Sequence, residues 1–386
     1  MIRWLAVLVL AGCSAPDMGA SFLRSEMTII DREDPETIDS RFADAIDGAE
    51  RSVQVAVPAG ERLEVAEAVL DAWERGLEVK VVTDFDQSAD PGIALLLESD
   101  VPVTLADDGL SYFDFNVNSD ITFPSEVTQM THAMVIVDET VVHAATSVGF
   151  DVAQDVVLFT LRGEDLVIDV GLEHNQVFGG SDAVATTAFD GMAKSITDYR
   201  WRYPTQTDLD LEVWFGPQER LIKRIIDSVY GARGSVHVLT NDFTAPGLAR
   251  ALQDKAELGF TVNVIVGQAY SAVDNVLSQP LAAEAPDVGR FRFTGADDVP
   301  TVVLVDYRDG LDGNRYVTRA FVLTHDLFST NRSDGASPFG EGLLGQVNDQ
   351  LLDGALWTLV DYDEPSPEIE ALFELWQAHA AESGVL

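Results

Sequence analysis

The sequence predicts an α/β protein made of two similar mixed-sheet α/β halves packed about a pseudo-two-fold axis. Three observations carry this expectation. A strand, crossover helix, strand pattern follows residue 39 and returns after residue 210, and such units build parallel or mixed sheets. Ala49, Ser52, Val53, Gly76, Val79 and Val81 recur as Ala232, Ser235, Val236, Gly259, Val262 and Val264, each 183 positions later. Six matches at one offset predict an internal duplication. Finally, 386 residues with 46% hydrophobic content suffice for a sizeable core.

Taken in order, residues 1–12 carry one early arginine and an apolar run from Trp4 to Ala11. That run is too short to cross a hydrocarbon core of about 30 Å and is expected to be a signal peptide. Cys13 is the only cysteine, so no intramolecular disulfide braces the fold. LAGC around Cys13 resembles the lipobox of bacterial lipoproteins. The resemblance implies that Cys13 is acylated and becomes the mature N-terminus, with the membrane as partner through the lipid anchor. It also implies that Ser14 favours outer-membrane sorting. Residues 13–38 read as a tether.

Phe42, Ile46 and Ala49 suit a helical face, and SVQVAV after them alternates as a strand. Val65, Val69, Leu70 and Trp73 form the apolar side of a second helix, Gly76 ends it at C′, and LEVKVVTD is the next strand. VPVTLADDG at 101–109 supplies a further short element. The halves are placed at 39–195 and 210–386, with 196–209 as linker and Pro204 as a local breaker. So short a linker predicts halves packed face to face.

Charge narrows the partners. Against 24 Lys+Arg stand 65 Asp+Glu, a formal charge of -41, which repels phosphate backbones, so no nucleic acid is expected. Dense carboxylates suit solubility and salt tolerance. Local basic spots remain, because Arg200, Arg202, Arg220, Arg224 and Arg233 fall close together in sequence. No acid-rich run has EF-hand spacing, no histidine pair has metal-ligand spacing, and no glycine-rich stretch has phosphate-loop spacing. No cofactor is expected, and no protein or ligand partner can be named.

The chemistry-bearing stretch is QMTHAMVIVDETVVHAATSVGFD, read as a strand at 130–137, a turn at DET and a return strand VVHAAT. Its counterpart is DVPTVVLVDYRDG followed by GNRYVTRAFVLTHDLFSTNRSD, with Asp306 in the place of Asp138. With EVWFGP, GARGSVHVLT, GFTVNVIVG and the apolar helices GLEHNQVFGG and EALFELW, these segments resemble the phospholipase D superfamily over about residues 39–380. VNDQLL at 347–352 resembles that family's asparagine-rich strand.

The resemblance implies a His-x-Lys-x4-Asp segment in each half. One histidine would attack phosphorus, the other would protonate the leaving oxygen, and the lysines would neutralise phosphoryl oxygens. Here the register set by Asp138 puts Thr131 at the histidine and Ala133 at the lysine. Asp306 likewise puts Val299 and Thr301 there. Thr146 and Ser147, and Thr324 with Asp326, keep part of the polar rim. The expectation is a membrane-anchored phospholipase D-like protein lacking phosphodiesterase activity and serving as a binding or structural envelope module. The alternative is a divergent phosphodiesterase or transphosphatidylase.

Three histidines are candidates for remaining chemistry. His132 is one residue out of phase, and strand alternation turns it away from Thr131 and Ala133, with Met134 at the lysine position. His143 on the return strand and His325 in THD would approach one another near the axis if the halves pack as the family's do. The bland alternative for all three is a satisfied structural histidine. Asp138 and Asp306 would make an acid–base pair only in a glycoside-type cleft.

Overall fold

The structure, a computed structural model, describes residues 23–30, 37–58, 63–84, 89–106, 111–114, 119–122, 129–146, 155–178, 202–206, 209–216, 219, 221–241, 243, 245–267, 289–293, 299–307, 310, 312–327, 352–362 and 365–383. Cys13, Ser14, Ser147 and most of VNDQLL lie outside the described residues.

The first half contains β1 (Arg24–Ile30), α1 (Ile38–Asp47), β2 (Ser52–Val57), α2 (Leu63–Glu74), β3 (Glu78–Asp84), α3 (Pro91–Glu98) and β4 (Val103–Ala106). A hairpin of β5 (Ser111–Asp114) and β6 (Ser119–Thr122) follows. Then come β7 (Gln129–Met130), β8 (Met134–Val137), β9 (Val141–Ala145), β10 (Val156–Arg162) and α4 (Glu164–Phe178). The second half has β11 (Arg202–Pro204), β12 (Leu209–Phe215), α5 (Leu221–Gly231), β13 (Ser235–Thr240), α6 (Pro246–Glu257), β14 (Thr261–Val266) and β15 (Gly289–Phe293). It closes with β16 (Thr301–Val305), β17 (Thr318–Leu323), β18 (Leu352–Asp353), β19 (Ala355–Asp361) and α7 (Pro367–Glu382).

The sheets are built alike. The first runs β1-β10-β9-β8-β2-β3-β4 and the second β11-β12-β19-β17-β16-β13-β14-β15. Without β11, the second repeats the first strand for strand. The pairing sense also repeats: β2–β3 and β13–β14 are parallel, whereas β2–β8 and β13–β16 are antiparallel. Both ends of α2 and α6 keep the 183-residue offset. Gly76 and Gly259 follow them at φ 84° and 88°, a left-handed turn that an L side chain resists.

Two predicted boundaries shift. Residues 24–30, inside the stretch read as a tether, form β1 and pair with β10 along their whole length. RSEMTII alternates in the manner of a half-buried strand, and its partner covers an edge that would otherwise stand open. Within the predicted linker, β11 lies beside β12, and Leu23 bridges to Thr205. Residues 202–204 of this linker are part of the second sheet.

Local signals set the helix ends. Thr37 and Ser40 form a capping box on α1, Pro91 and Pro246 open α3 and α6 where a missing N–H costs nothing, and Ser366 caps α7. β2 and β13 are buried at every position, because helices or the other half cover both faces of the sheet.

Three apolar clusters define the layers. α1, α2 and α3 cover the outer face of the first sheet, and α5 and α6 that of the second. Between the sheets a central cluster joins residues of both halves, among them Ile136, Phe159, Val213 and Trp357, with the buried faces of α4 and α7. The halves are cross-linked as well as packed. β7 and β18 pair in parallel, Tyr203 donates to Asp169 of α4, and His379 Nε2 of α7 meets Asp155 at 2.8 Å.

Candidate functional site

Thr131, His132 and Ala133 lie between β7 and β8 and are not strand. Strict alternation therefore fails for them. Ala133 belongs to the outer cluster of the first half, while Thr131 and His132 turn toward the other half. The expectation that His132 faces away from Thr131 is corrected to that extent; it does oppose Ala133.

Thr131 Oγ1 lies 3.3 Å from Thr324 Oγ1 of the second half. Thr324 is fixed in turn, since its Oγ1 accepts from Ala355 N (2.9 Å) and reaches Ala355 O (3.3 Å). The Thr146 hydroxyl takes the same role in the first half, accepting from Val157 N. Gly354 closes the centre. A Cβ there would lie inside contact distance of Thr131 Oγ1, 2.8 Å from Thr324 Oγ1 and 3.0 Å from His325 Cδ2.

His132 is buried, with its Nε2 3.6 Å from Glu173 Oε1 of α4 and its ring 6.0 Å from that of Phe215 on β12. His325 is also buried. Its Nδ1 donates to the Asp326 carbonyl at 2.7 Å, which fixes the tautomer and leaves the lone pair on Nε2. That atom is buried without a hydrogen-bond partner. Burial pushes His325 down to about 4, and the charge of His132 adds to the shift. His325 is therefore neutral near neutral pH.

Val299 joins the central cluster. Thr301 forms a separate polar knot in the second half, where Asp326 Oδ1 accepts from Thr301 Oγ1 (3.0 Å), Thr240 Oγ1 (3.2 Å) and Asn241 N (3.1 Å).

Asp138 and Asp306 stand at the other ends of β8 and β16, away from this centre. Asp138 accepts from the backbone N–H groups of Glu50, Arg51 and Ser52. Burial raises its carboxyl, but these donors and the Arg51 charge outweigh that and hold it below the ordinary aspartate value. Asp306 accepts from Arg233 and Gly234 N–H. Both aspartates have positive φ, 54° and 58°, a conformation tolerated by Asp in such a turn. They clasp equivalent loops and do not form an acid–base pair.

His143 does not reach the axis. It faces the outer side of the first sheet, 3.2 Å from Thr160 Oγ1, where burial and the Arg162 charge push it down to about 4. The predicted approach of His143 and His325 is therefore incorrect, because β9 turns Val142 and Ala144 inward and His143 outward. His174, read only as a helix position, is fully buried with Nε2 3.1 Å from Val55 O and is pushed down to about 4, chiefly by burial.

Sequence reasoning missed Glu173 and Gly354. Glu173 had a signal, since it interrupts the apolar face that Leu166, Val170 and Val177 give α4. Gly354 had none, because its need for a hydrogen atom comes from residues more than twenty positions away in sequence.

No protein family profile matches this chain. Nor does any curated protein match it in sequence. Among solved structures, it is similar to a phosphatidylserine synthase of Haemophilus influenzae at 12% identity and a TM-score of 0.56, covering 92% of this chain and 88% of that one. It is also similar to a polyphosphate kinase of Porphyromonas gingivalis at 11% identity and 0.55, covering 92% and 50%. Identities this low speak for the fold alone. With its two similarly built mixed-sheet α/β halves about a pseudo-two-fold axis, the chain has a phospholipase D-like fold.

Proposed function

We propose that this chain is a membrane-anchored phospholipase D-like protein without phosphodiesterase activity, acting as a binding or structural module of the bacterial envelope, and that its halves arose by duplication. The observation that carries the reading is the hydroxyl contact between Thr131 and Thr324, packed against Gly354 at the junction of the halves. Thr131 stands where the resemblance implies a histidine, and the hydroxyl it meets from the other half is that of the neutral Thr324. Losing one charge-stabilising donor typically costs about 3 kcal/mol of transition-state stabilisation. Here Ala133 and Thr301 replace two such groups, and Thr131 and Val299 replace the nucleophile and the acid.

The anchor rests on Cys13 in LAGC. Expressed in a Gram-negative host, the chain is expected in the membrane fraction, and Cys13→Ser should move it to the soluble periplasmic fraction. Unchanged fractionation of that variant would contradict the anchor.

A second reading, a divergent phosphodiesterase, has one observation in its favour: His132, beside Glu173, and His325 come from different halves, and the charge of His132 lowers the pKa of His325. Phosphatidylcholine and bis-p-nitrophenyl phosphate decide between the readings. No turnover above the uncatalysed rate is expected, with or without His132→Ala and His325→Ala. Turnover that disappears with either substitution establishes the second reading.

A further inference from the structure

The outer face of the second sheet gathers three arginines around Asp210 and Glu212 in a chain whose net charge is -41. Arg202 on β11 lies directly across from Glu212 on β12. Two positions along the same face, Trp214 supports Arg224 of α5, whose guanidinium carbon lies 3.1 Å from the ring centroid. Arg319 on β17 projects from this face, in register with Val360 of β19. All three guanidinium charges act on Glu212.

These arginines are not equally engaged. Arg202 donates through Nε to Asp210 at 2.6 Å and covers the exposed ring of Tyr362 at 4.9 Å. Arg224 donates to the Glu219 carbonyl at 3.1 Å. Arg319, half-buried on an interior strand, makes no side-chain hydrogen bond or ion pair among the described residues. An interior-strand guanidinium normally has such a partner, because burying its donors without one is costly. Burial pushes Glu212 above the ordinary glutamate value despite the three arginines, so it offsets them incompletely.

We propose that Arg202, Arg224 and Arg319 form a carboxylate-recognising surface whose partner is an acidic polypeptide segment, with Arg319 supplying the uncommitted fork. The Arg202–Asp210 contact shows this face already binding a carboxylate oxygen through a guanidinium, and a planar guanidinium fork matches the two oxygens of a carboxylate. Aromatic rings under Arg202 and Arg224 hold the guanidinium planes in place. The surface is separate from the junction of the halves, so it stands whether or not that junction is catalytic. It also recasts the basic run in the sequence. Arg202 and Arg224 do belong to one site, Arg319 completes it from 95 residues beyond Arg224, and Arg233 belongs elsewhere, beside Tyr316.

The test uses the full chain and poly-L-glutamate as probe, followed by titration calorimetry, with polyphosphate and anionic phosphatidylglycerol vesicles as comparison arms. Saturable binding of poly-L-glutamate is expected. Arg319→Gln should weaken it about tenfold, the loss of one charge-assisted contact, and Glu212→Gln should tighten it. Thermal unfolding of Arg319→Gln should stay close to the parent, since Arg319 makes no side-chain hydrogen bond among the described residues. Absence of poly-L-glutamate binding overturns the proposal, as does binding indifferent to Arg319→Gln, or tighter binding of polyphosphate or vesicles that depends on Arg319.

Discussion

Acidification from about pH 6.5 to about pH 4 is expected to remove much of this protein's stability, with His174 and His325 as the main cause. Both are fully buried, and both are pushed from the ordinary 6.5 down to about 4, chiefly by burial. Between those values the unfolded chain binds protons that the folded chain refuses. Stability therefore rises with pH through this window, is fully present above pH 6.5 and is lost as pH falls toward 4. A shift of this size is worth about 3 kcal/mol for each histidine, against a total stability of roughly 5–15 kcal/mol for a typical domain. His143 shifts in the same direction and adds to the loss.

Urea unfolding across this window measures the effect. His325→Asn keeps a donor for the Asp326 carbonyl and His174→Gln keeps one for the Val55 carbonyl, yet neither amide titrates. The double variant should lose most of the dependence on pH. A slope unchanged from the parent would place the acid sensitivity in other groups. Comparing variant with parent is necessary because protonating carboxylates relieves the repulsion within a chain of charge -41, which acts in the opposite sense.

Gly354→Ala carries the second large effect. Its Cβ would displace Thr131 and Thr324, and neither has an easy exit. Thr324 Oγ1 is held by Ala355, while Gly354 is itself fixed by the Gly216 N–H, 2.8 Å from its carbonyl oxygen. Overpacking a rigid contact costs about 1–3 kcal/mol, and this one also parts two hydroxyls that bridge the halves. Chemical unfolding should show the loss. Thr131→Ala, added to Gly354→Ala, removes the nearest obstruction and should recover part of it. A neutral Gly354→Ala would mean that the junction is looser than these distances indicate.

The repeated half was legible because its signals are local. Alternation in SVQVAV, the apolar stripe of α2 and the glycine after it specify one strand–helix–strand unit, and the 183-residue offset specifies its copy. β1 was missed because RSEMTII carries charged residues at its start and lies in the stretch read as a tether. Its place depends on β10, over a hundred residues later. The centre was half legible. Counting back from Asp138 and Asp306 gave Thr131 and Val299 at the junction, but side-chain direction there depends on the break between β7 and β8, which alternation does not anticipate. His143 failed for the opposite reason: it sits in a regular strand, whose alternation turns it outward.

The position of β19 has a consequence for how the protein is made. It lies between β12 and β17, yet it is the last strand among the described residues. As the polypeptide emerges, the first sheet can close once β10 has appeared. The second must wait with β12 beside only the three-residue β11, and with one side of β17 unpaired, until residues 355–361 arrive. The first half meanwhile presents an inner apolar face that only the second half will cover. A chain truncated before Ala355 would therefore display both an open strand edge and a bare core, the pair of features that most readily draws nascent chains into aggregates.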